Sequence, residues 1–128
     1  MARYLAHTVP ASGARYRPVA ALEMVSGETV LDVPGRPRII PTPGHTAGHC
    51  SVLVEDRGVL FVADAMVNFD YASGESGLHQ QRFNEDRAQA FASLAPLDGV
   101  DAAVVLFGHG DPWTQGSSRA IEIVRARA

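Results

Sequence analysis

Three short segments of this chain are almost continuously apolar, and they constrain its fold more than any other feature. Val52–Val54, Val59–Val62 and Val104–Phe107 are typical of β-strands, without the polar alternation of a half-exposed sheet. Strands of this kind are usually covered on both faces. Only two segments have helical spacing, which is enough to cover one face. The other face therefore needs the N-terminal arm, a segment outside this chain, or a second copy of the chain.

The order of the elements predicts an α/β fold with one mixed sheet and helices on one of its faces. Strands are expected at 29–33, 37–40, 51–55, 59–63 and 102–107. Residues 65–83 have no period and many turn formers, so a long loop is expected there. One helix should run from the N-cap Asn84 to about Leu94, and a last helix should be capped by Ser117. Residues 1–26 are predicted to form a loosely held arm before residues 27–128.

Composition narrows the classes of function. The chain has 128 residues, a net charge of −3 and one cysteine, Cys50. That length predicts one domain, and the slight acidic excess argues against nucleic-acid binding. One cysteine excludes an intramolecular disulfide and fits a reducing compartment. No apolar run approaches the ~18 residues of a membrane span, and no signal peptide is recognisable. A soluble, cytoplasmic protein without a membrane partner is expected.

Polar side chains follow three of the predicted strands. His45 lies in a glycine-rich loop, Asp64 comes directly after the strand at 59–63, and His109 follows the last strand. Loops at strand ends are where α/β proteins build their sites. Imidazole and carboxylate together suit zinc, and also iron or manganese. Each residue alone is better explained as a hydrogen-bonded histidine or a turn-forming aspartate, but the three together predict a metal site.

The loops that carry these side chains resemble motifs of the metallo-β-lactamase superfamily. The motifs are Pro43-Gly44-His45-Thr46-Ala47-Gly48-His49, Leu60-Phe61-Val62-Ala63-Asp64-Ala65 and Gly108-His109-Gly110-Asp111-Pro112-Trp113. The chain is most similar to the small bacterial metal-dependent hydrolases of that superfamily, including its glyoxalase II-like members. The resemblance covers residues 27–128 and implies an αββα sandwich with the metal site at one edge.

Carried over residue by residue, the resemblance implies that His45 binds one metal, His109 binds a second, and Asp64 bridges the two. His49 and Thr46 would support the loop behind these ligands. No residue is assigned a catalytic role, because the His-x-His-x-Asp-His motif of the family's first half does not occur in this sequence. The chain therefore resembles the C-terminal half of a family member, with an incomplete metal site. Ala63 also replaces the glycine that usually precedes the bridging aspartate.

The resemblance implies hydrolysis of a small ester, thioester, lactone or phosphate ester, with one or two zinc ions as cofactor. Two alternatives stay open: an inactive metal-binding remnant, and a protein whose present role is self-association. The uncovered sheet face predicts a homodimer or higher homo-oligomer that would complete the sandwich. In the loop at 65–83, Phe69, Tyr71, His79 and Gln80 are interpreted equally well as substrate contacts or as parts of a mobile surface loop.

Overall fold

The computed structural model describes residue 21 and residues 23–127, which form a larger and a smaller sheet with two helices. The predicted arm at residues 1–26 lies almost entirely outside them. The strands are β1 Thr29–Val30, β2 Arg38–Pro41, β3 Cys50–Val54, β4 Val59–Ala63, β5 Met66–Asp70, β6 Glu75–Gln80 and β7 Val104–Phe107. The helices are α1 Arg87–Ala92 and α2 Ser117–Ala126, with short 3-10 helices at Glu55–Arg57 and Ala95–Leu97. In this part of the chain, no helix combines the length and the apolar character of a membrane span.

Strand direction in the larger sheet determines which loops meet. Its order is β1-β2-β3-β4-β7, with β4 and β7 parallel and every other pair antiparallel. Because β3 runs opposite to both of its neighbours, β2, β4 and β7 all run in the same direction. Their carboxyl ends therefore lie at one edge of the sheet, which is where open α/β sheets place their ligands.

The core lies on one face of this sheet, and helix α2 contributes to it. Alternate residues of the strands point into the core, as expected for a pleated strand. They pack with residues of α2 and of the 94–102 segment in one cluster, whose members include Ile40, Leu53, Leu60, Val62, Val105, Leu94, Leu97, Ala120, Ile121 and Val124. The predicted mixed sheet with helices on one face is confirmed.

The opposite face carries a row of apolar side chains, one from each of four neighbouring strands. The registers place Ile39 beside Val52, Val52 beside Phe61, and Phe61 beside Leu106. Phe61 is 43% exposed, and the other three are half-buried. The described residues therefore cover this face only in part.

The long loop predicted at 65–83 is wrong, because most of it forms the β5–β6 hairpin. The two strands pair antiparallel from Met66 opposite Gln80 to Asp70 opposite Glu75. Their register shifts between Val67 and Phe69, and a bulge of this kind interrupts the alternation by which a strand is recognised. Met66, Val67 and Leu78 are nevertheless buried, so the hairpin is part of the packed structure.

Helix α1 begins later than predicted, and Asn84 is not its cap. Asp86 caps it by accepting a hydrogen bond from the Gln89 N–H at 2.8 Å. The segment before Arg87 is not helical, because the backbone of Asp86 is extended, with φ −132° and ψ 103°. The N–H groups of residues 85 and 86 donate to the carbonyl oxygens of His45 and Gly44. These bonds tie the start of α1 to the glycine-rich loop.

The cap predicted at Ser117 is also wrong, since Gly116 precedes α2 and Ser117 is its first helical residue. The buried Ser117 hydroxyl accepts from the Ala102 N–H and donates to the Val100 carbonyl. The sequence predicted that Ser117 caps the helix. Its hydroxyl instead holds the helix to the segment that leads into β7.

Asp70 closes the β5–β6 hairpin. Its Oδ1 accepts from the Ala72 N–H at 2.8 Å, and its Oδ2 lies 2.7 Å from Arg82 Nη2. The hydrogen bond from Ala72, followed by the bonds from Arg82, holds the pKa of Asp70 below its ordinary value of 3.8. The charged carboxylate is therefore the form that the folded hairpin favours.

We predict that Asp70→Asn removes part of the acid sensitivity of the chain. A carboxyl whose folded pKa is depressed stabilises the fold above its ordinary pKa, 3.8 for Asp70, and loses that contribution as pH falls through the folded pKa. Urea midpoints measured from pH 3 to pH 6 should fall less steeply toward acid in Asp70→Asn than in wild type. The control is Asp101→Asn, which removes an exposed carboxylate. An unchanged slope in Asp70→Asn would contradict the assignment.

Candidate metal centre

The three residues singled out in the sequence meet at the edge where β2, β4 and β7 end. His45 Nε2 lies 3.5 Å from Asp64 Oδ2, and His109 Nε2 lies 3.4 Å from Asp64 Oδ1. Each imidazole thus faces its own oxygen of one carboxylate. The side chains are 24%, 27% and 39% exposed for His45, Asp64 and His109, so the group is open to solvent on one side.

Backbone hydrogen bonds shape the loop that carries His45. The Thr46 carbonyl accepts from the N–H groups of Gly44 and His49, and the His49 carbonyl accepts from the Thr42 N–H at 3.0 Å. Gly44 has φ +130°, and a Cβ at this position would overlap the backbone of Ala90 in α1. Thr46 therefore acts on the loop through its carbonyl, and Gly44 lets the loop pack directly on the helix.

Asn84 orients the His45 ring. Its side-chain N–H₂ donates to the Gln81 carbonyl at 2.7 Å, which turns its Oδ1 toward His45 Nδ1 at 3.3 Å. The carbonyl oxygen of an amide can only accept, so Nδ1 carries a proton and donates it. His45 Nε2 is then the ring nitrogen available for an ion, and such a bond on the second nitrogen is how proteins usually orient a ligating histidine.

His49 uses both of its ring nitrogens within the fold. The Asp64 N–H donates to His49 Nε2 at 3.2 Å, and His49 Nδ1 lies 3.0 Å from the Thr42 carbonyl oxygen. A backbone N–H only donates, so Nε2 is unprotonated and Nδ1 is the donor. Burial lowers the pKa of His49 below 6.5, in keeping with this neutral form. His49 thus links the glycine-rich loop to the residue at the centre of the site.

Close backbone approach positions Asp64. A Cβ added to Gly108 would overlap the Asp64 carboxylate, so glycine at this position gives the carboxylate its room. Gln81 Nε2 reaches Asp64 Oδ1 at 3.5 Å from the other side. Ala63, directly before Asp64, has φ +46°, in the left-handed region that glycine prefers. Alanine at position 63, in place of the glycine usual in the family, therefore puts a strained residue directly before Asp64.

The β5–β6 hairpin brings two of the four predicted loop residues to the metal centre. Tyr71 packs edge-to-face on His109 with ring centres 5.1 Å apart, and Phe69 packs likewise on Tyr71 at 4.8 Å. Tyr71 is 71% exposed, so most of its ring is available for contact. A cleft of about 410 Å³ adjoins these rings. His79 and Gln80 instead line a different pocket.

His45 with Asp64, and His109 with Asp64, each have the spacing of two ligands on one metal ion. The three residues together do not have the arrangement of a single site. Two ligands bound ~2.0–2.1 Å from a tetrahedral zinc lie roughly 3.3–3.4 Å apart, close to the distances from His45 and His109 to the Asp64 carboxylate. Each pair uses a different oxygen of the Asp64 carboxylate. Within residues 21 and 23–127, no group of three or more His, Cys, Asp or Glu side chains is arranged to hold one ion.

Sequence reasoning missed Asn84 and Gln81 as parts of the site. Asn84 was interpreted as a helix cap, and its partner His45 lies 39 positions away along the chain. Gln81 is buried and contacts Asp64 from 17 positions away. Neither residue belongs to a periodic pattern or a motif, so the sequence contains no signal that connects them to the candidate metal ligands.

Comparisons with known proteins agree with the predicted family and fold. A family model described as the metallo-beta-lactamase superfamily matches residues 4–109. The chain is 33% identical over 89 residues to the probable metallo-hydrolase YflN of Bacillus subtilis (strain 168), and the match covers 63% of this chain and 34% of the relative. The chain thus spans about a third of that curated relative's length.

Two solved structures are similar over most of the chain. The metallo-beta-lactamase family protein TTHA1429 from Thermus thermophilus matches with a TM-score of 0.61 and 28% identity, covering 94% of this chain and 40% of that protein. The archaeal metallo-beta-lactamase superfamily protein ST1585 from Sulfolobus tokodaii matches with a TM-score of 0.55 and 28% identity, covering 77% and 36%. The described fold thus corresponds to under half of each of these proteins.

We predict that Ala63→Gly stabilises the chain. A left-handed residue with a Cβ costs ~1–2 kcal/mol, and glycine loses roughly 0.5–1 kcal/mol more conformational freedom than alanine on folding. The net gain should be about 0.5–1 kcal/mol, measured as a higher urea midpoint at constant slope. Ala88→Gly, in the ordinary helical backbone of α1, is the matched control and should lose ~1 kcal/mol. A urea midpoint for Ala63→Gly below that of wild type would contradict the assignment of backbone strain to Ala63.

Proposed function

The chain belongs to the metallo-β-lactamase superfamily, and from that membership we propose that it acts in metal-dependent hydrolysis, with Asp64 holding metal as a pair with His45 and as a second pair with His109. One observation carries the proposal: two imidazole Nε2 atoms face the two oxygens of one carboxylate, each at the spacing of ligands on a shared ion. The activity of a complete relative remains a proposal here, because the chain spans about a third of the curated relative's length.

Zinc is the ion that we propose, because imidazole and carboxylate are its preferred nitrogen and oxygen ligands; iron and manganese are the alternatives. When bound, such an ion supplies a water of lowered pKa and polarises the carbonyl or phosphoryl oxygen of a substrate. Asn84 keeps His45 Nε2 directed at the site, and Gly108 leaves room for the Asp64 carboxylate. Tyr71 forms an exposed wall beside His109 against which an apolar part of a substrate can pack.

The substrate class that we propose is a small ester, thioester, lactone or phosphate ester. The alternative for the same site is a metal-binding remnant without turnover. It is supported by the arrangement of the candidate ligands, which meet as two pairs and not as a set of three.

The test of the metal site is the metal content of the purified protein, measured by elemental mass spectrometry after expression with added zinc. We expect about one equivalent or more per wild-type chain and loss of the metal in Asp64→Ala, because this carboxylate is common to both ligand pairs. Asp111→Ala is the matched control, since it removes the carboxylate two positions after His109 and should retain the metal. Retention at the wild-type level in Asp64→Ala would refute the assignment.

Turnover separates the two interpretations of the site. Metal-loaded protein is assayed against one ester, one thioester, one lactone and one phosphate monoester. Hydrolysis that is lost in Asp64→Ala supports the hydrolase, while bound metal without hydrolysis of any member supports the remnant.

Self-association is a second candidate role, and the apolar row of Ile39, Val52, Phe61 and Leu106 favours it. The family's sandwich places a second sheet against the first, whereas the described residues leave this face half covered. We propose a second copy of the chain as the occupant, because a two-fold pair buries the same row from both partners. Burying an aromatic side chain at the centre of such a row contributes strongly to association.

We predict that Phe61→Ser weakens the dimer at least about tenfold, since aromatic residues at interface centres are frequent hot spots. The measurement is sedimentation velocity over a range of protein concentrations. Phe91→Ser is the matched control, because Phe91 is similarly exposed, at 36% against 43% for Phe61, but lies on α1. A wild-type chain that stays monomeric throughout the range, or equal weakening in both variants, would argue against this interface.

A further inference from the structure

A second pocket lies beside β6, is rich in positive charge and is lined by none of the three candidate metal ligands. It encloses about 210 Å³ and is lined by His79, Gln80, Gln81, Arg82, Arg87 and Arg127. These residues come from the end of β6, the segment after it, the start of α1 and the residue that follows α2. No aspartate or glutamate of the described residues lines the pocket.

Two of the three arginines have no carboxylate partner in the described part of the chain. Arg82 is neutralised by Asp70, which its Nε and Nη2 contact at 2.8 and 2.7 Å. The remaining ion pairs within 4.0 Å involve neither Arg87 nor Arg127. Arg127 is nonetheless held in place, because its Nη1 donates to the Leu78 carbonyl at 3.1 Å. The pocket therefore has a net charge of about +2 before any contribution from histidine.

His79 directs an unsatisfied nitrogen into the same region. Its Nε2 is buried and has no hydrogen-bond partner among the described residues. A Cβ added to Gly77 would lie 3.2 Å from Arg127 Nη1 and 3.8 Å from His79 Nε2, so the imidazole and the guanidinium border the same space. A buried polar atom without a partner is unfavourable, and a ligand oxygen between these two groups would satisfy it.

We propose that this pocket binds the phosphate group of a small molecule. Two unpaired guanidinium groups match a phosphate monoester, which carries about −1.5 to −2 charges at pH 7. The planar fork of arginine pairs with two phosphate oxygens at once, and His79 Nε2 supplies a further donor. The pocket is smaller than the roughly 300 Å³ of sites that enclose a whole drug-sized ligand, so it fits one group of a ligand. The site does not depend on the proposed hydrolase activity.

The test is a titration with inorganic phosphate, followed by ¹H–¹⁵N NMR of the full chain at constant ionic strength. We expect saturable shifts of the Gly77, Leu78 and His79 amides, with a Kd on the order of 1 mM. Arg127→Gln and, separately, Arg87→Gln should each weaken binding at least about tenfold, because each removes one of the two unpaired charges. Arg125→Gln is the matched control, since Arg125 lies on α2 and pairs with Asp98 at 2.9 Å.

Three outcomes would overturn the proposal. The first is the absence of saturable binding. The second is equal weakening by Arg125→Gln and Arg127→Gln, which would mean attraction to general positive charge. The third is binding that is lost in Asp64→Ala but kept in Arg127→Gln, which would place the phosphate at the metal centre. Binding that persists in Asp64→Ala supports a separate pocket even if the metal assignment fails.

Discussion

The candidate site depends on the parallel pairing of β4 with β7. This pairing runs from Val59 opposite Val104 to Ala63 opposite Phe107, and the Gly108 N–H extends it by donating to the Ala63 carbonyl at 2.9 Å. A parallel pair ends on one side, so the residues that follow the two strands become neighbours although they are far apart in sequence. The third ligand joins them because β2 runs in the same direction, two strands away.

Hydrogen bonds and close packing within the protein position these groups, at some conformational cost. Asp64 fits only because Gly108 has no Cβ, and it follows a residue with φ +46°. His49 accepts the Asp64 N–H and thereby connects the glycine-rich loop to β4. Strain and close packing of this kind are common at functional sites, where surrounding contacts over-determine the geometry. The candidate ligands are thus positioned by contacts within the protein, and a preorganised site of this kind loses less entropy when it binds a ligand.

What the sequence could predict was local, and what it could not predict depended on distant partners. The apolar runs at β3, β4 and β7 and the polar residues after β2, β4 and β7 are visible in short windows, so the three candidate ligands could be named. The hairpin was missed because its bulge breaks the alternation between Val67 and Phe69. Asn84 and Ser117 were recognised as polar residues near helix starts, but their hydrogen bonds go to His45 and to the segment before β7. Tertiary contacts outweighed the local capping preference in both cases.

The β5–β6 hairpin, which the sequence predicted to be a loop, connects the two candidate sites. The first strand and turn of the β5–β6 hairpin carry Phe69 and Tyr71 to the ring of His109, whereas its second strand carries His79 to the basic pocket. Gln81, just after the hairpin, lines that pocket and also reaches the Asp64 carboxylate. An anion in the pocket would contact the hairpin that also borders the candidate metal centre. Gln81 is thus the residue that the two candidate sites share.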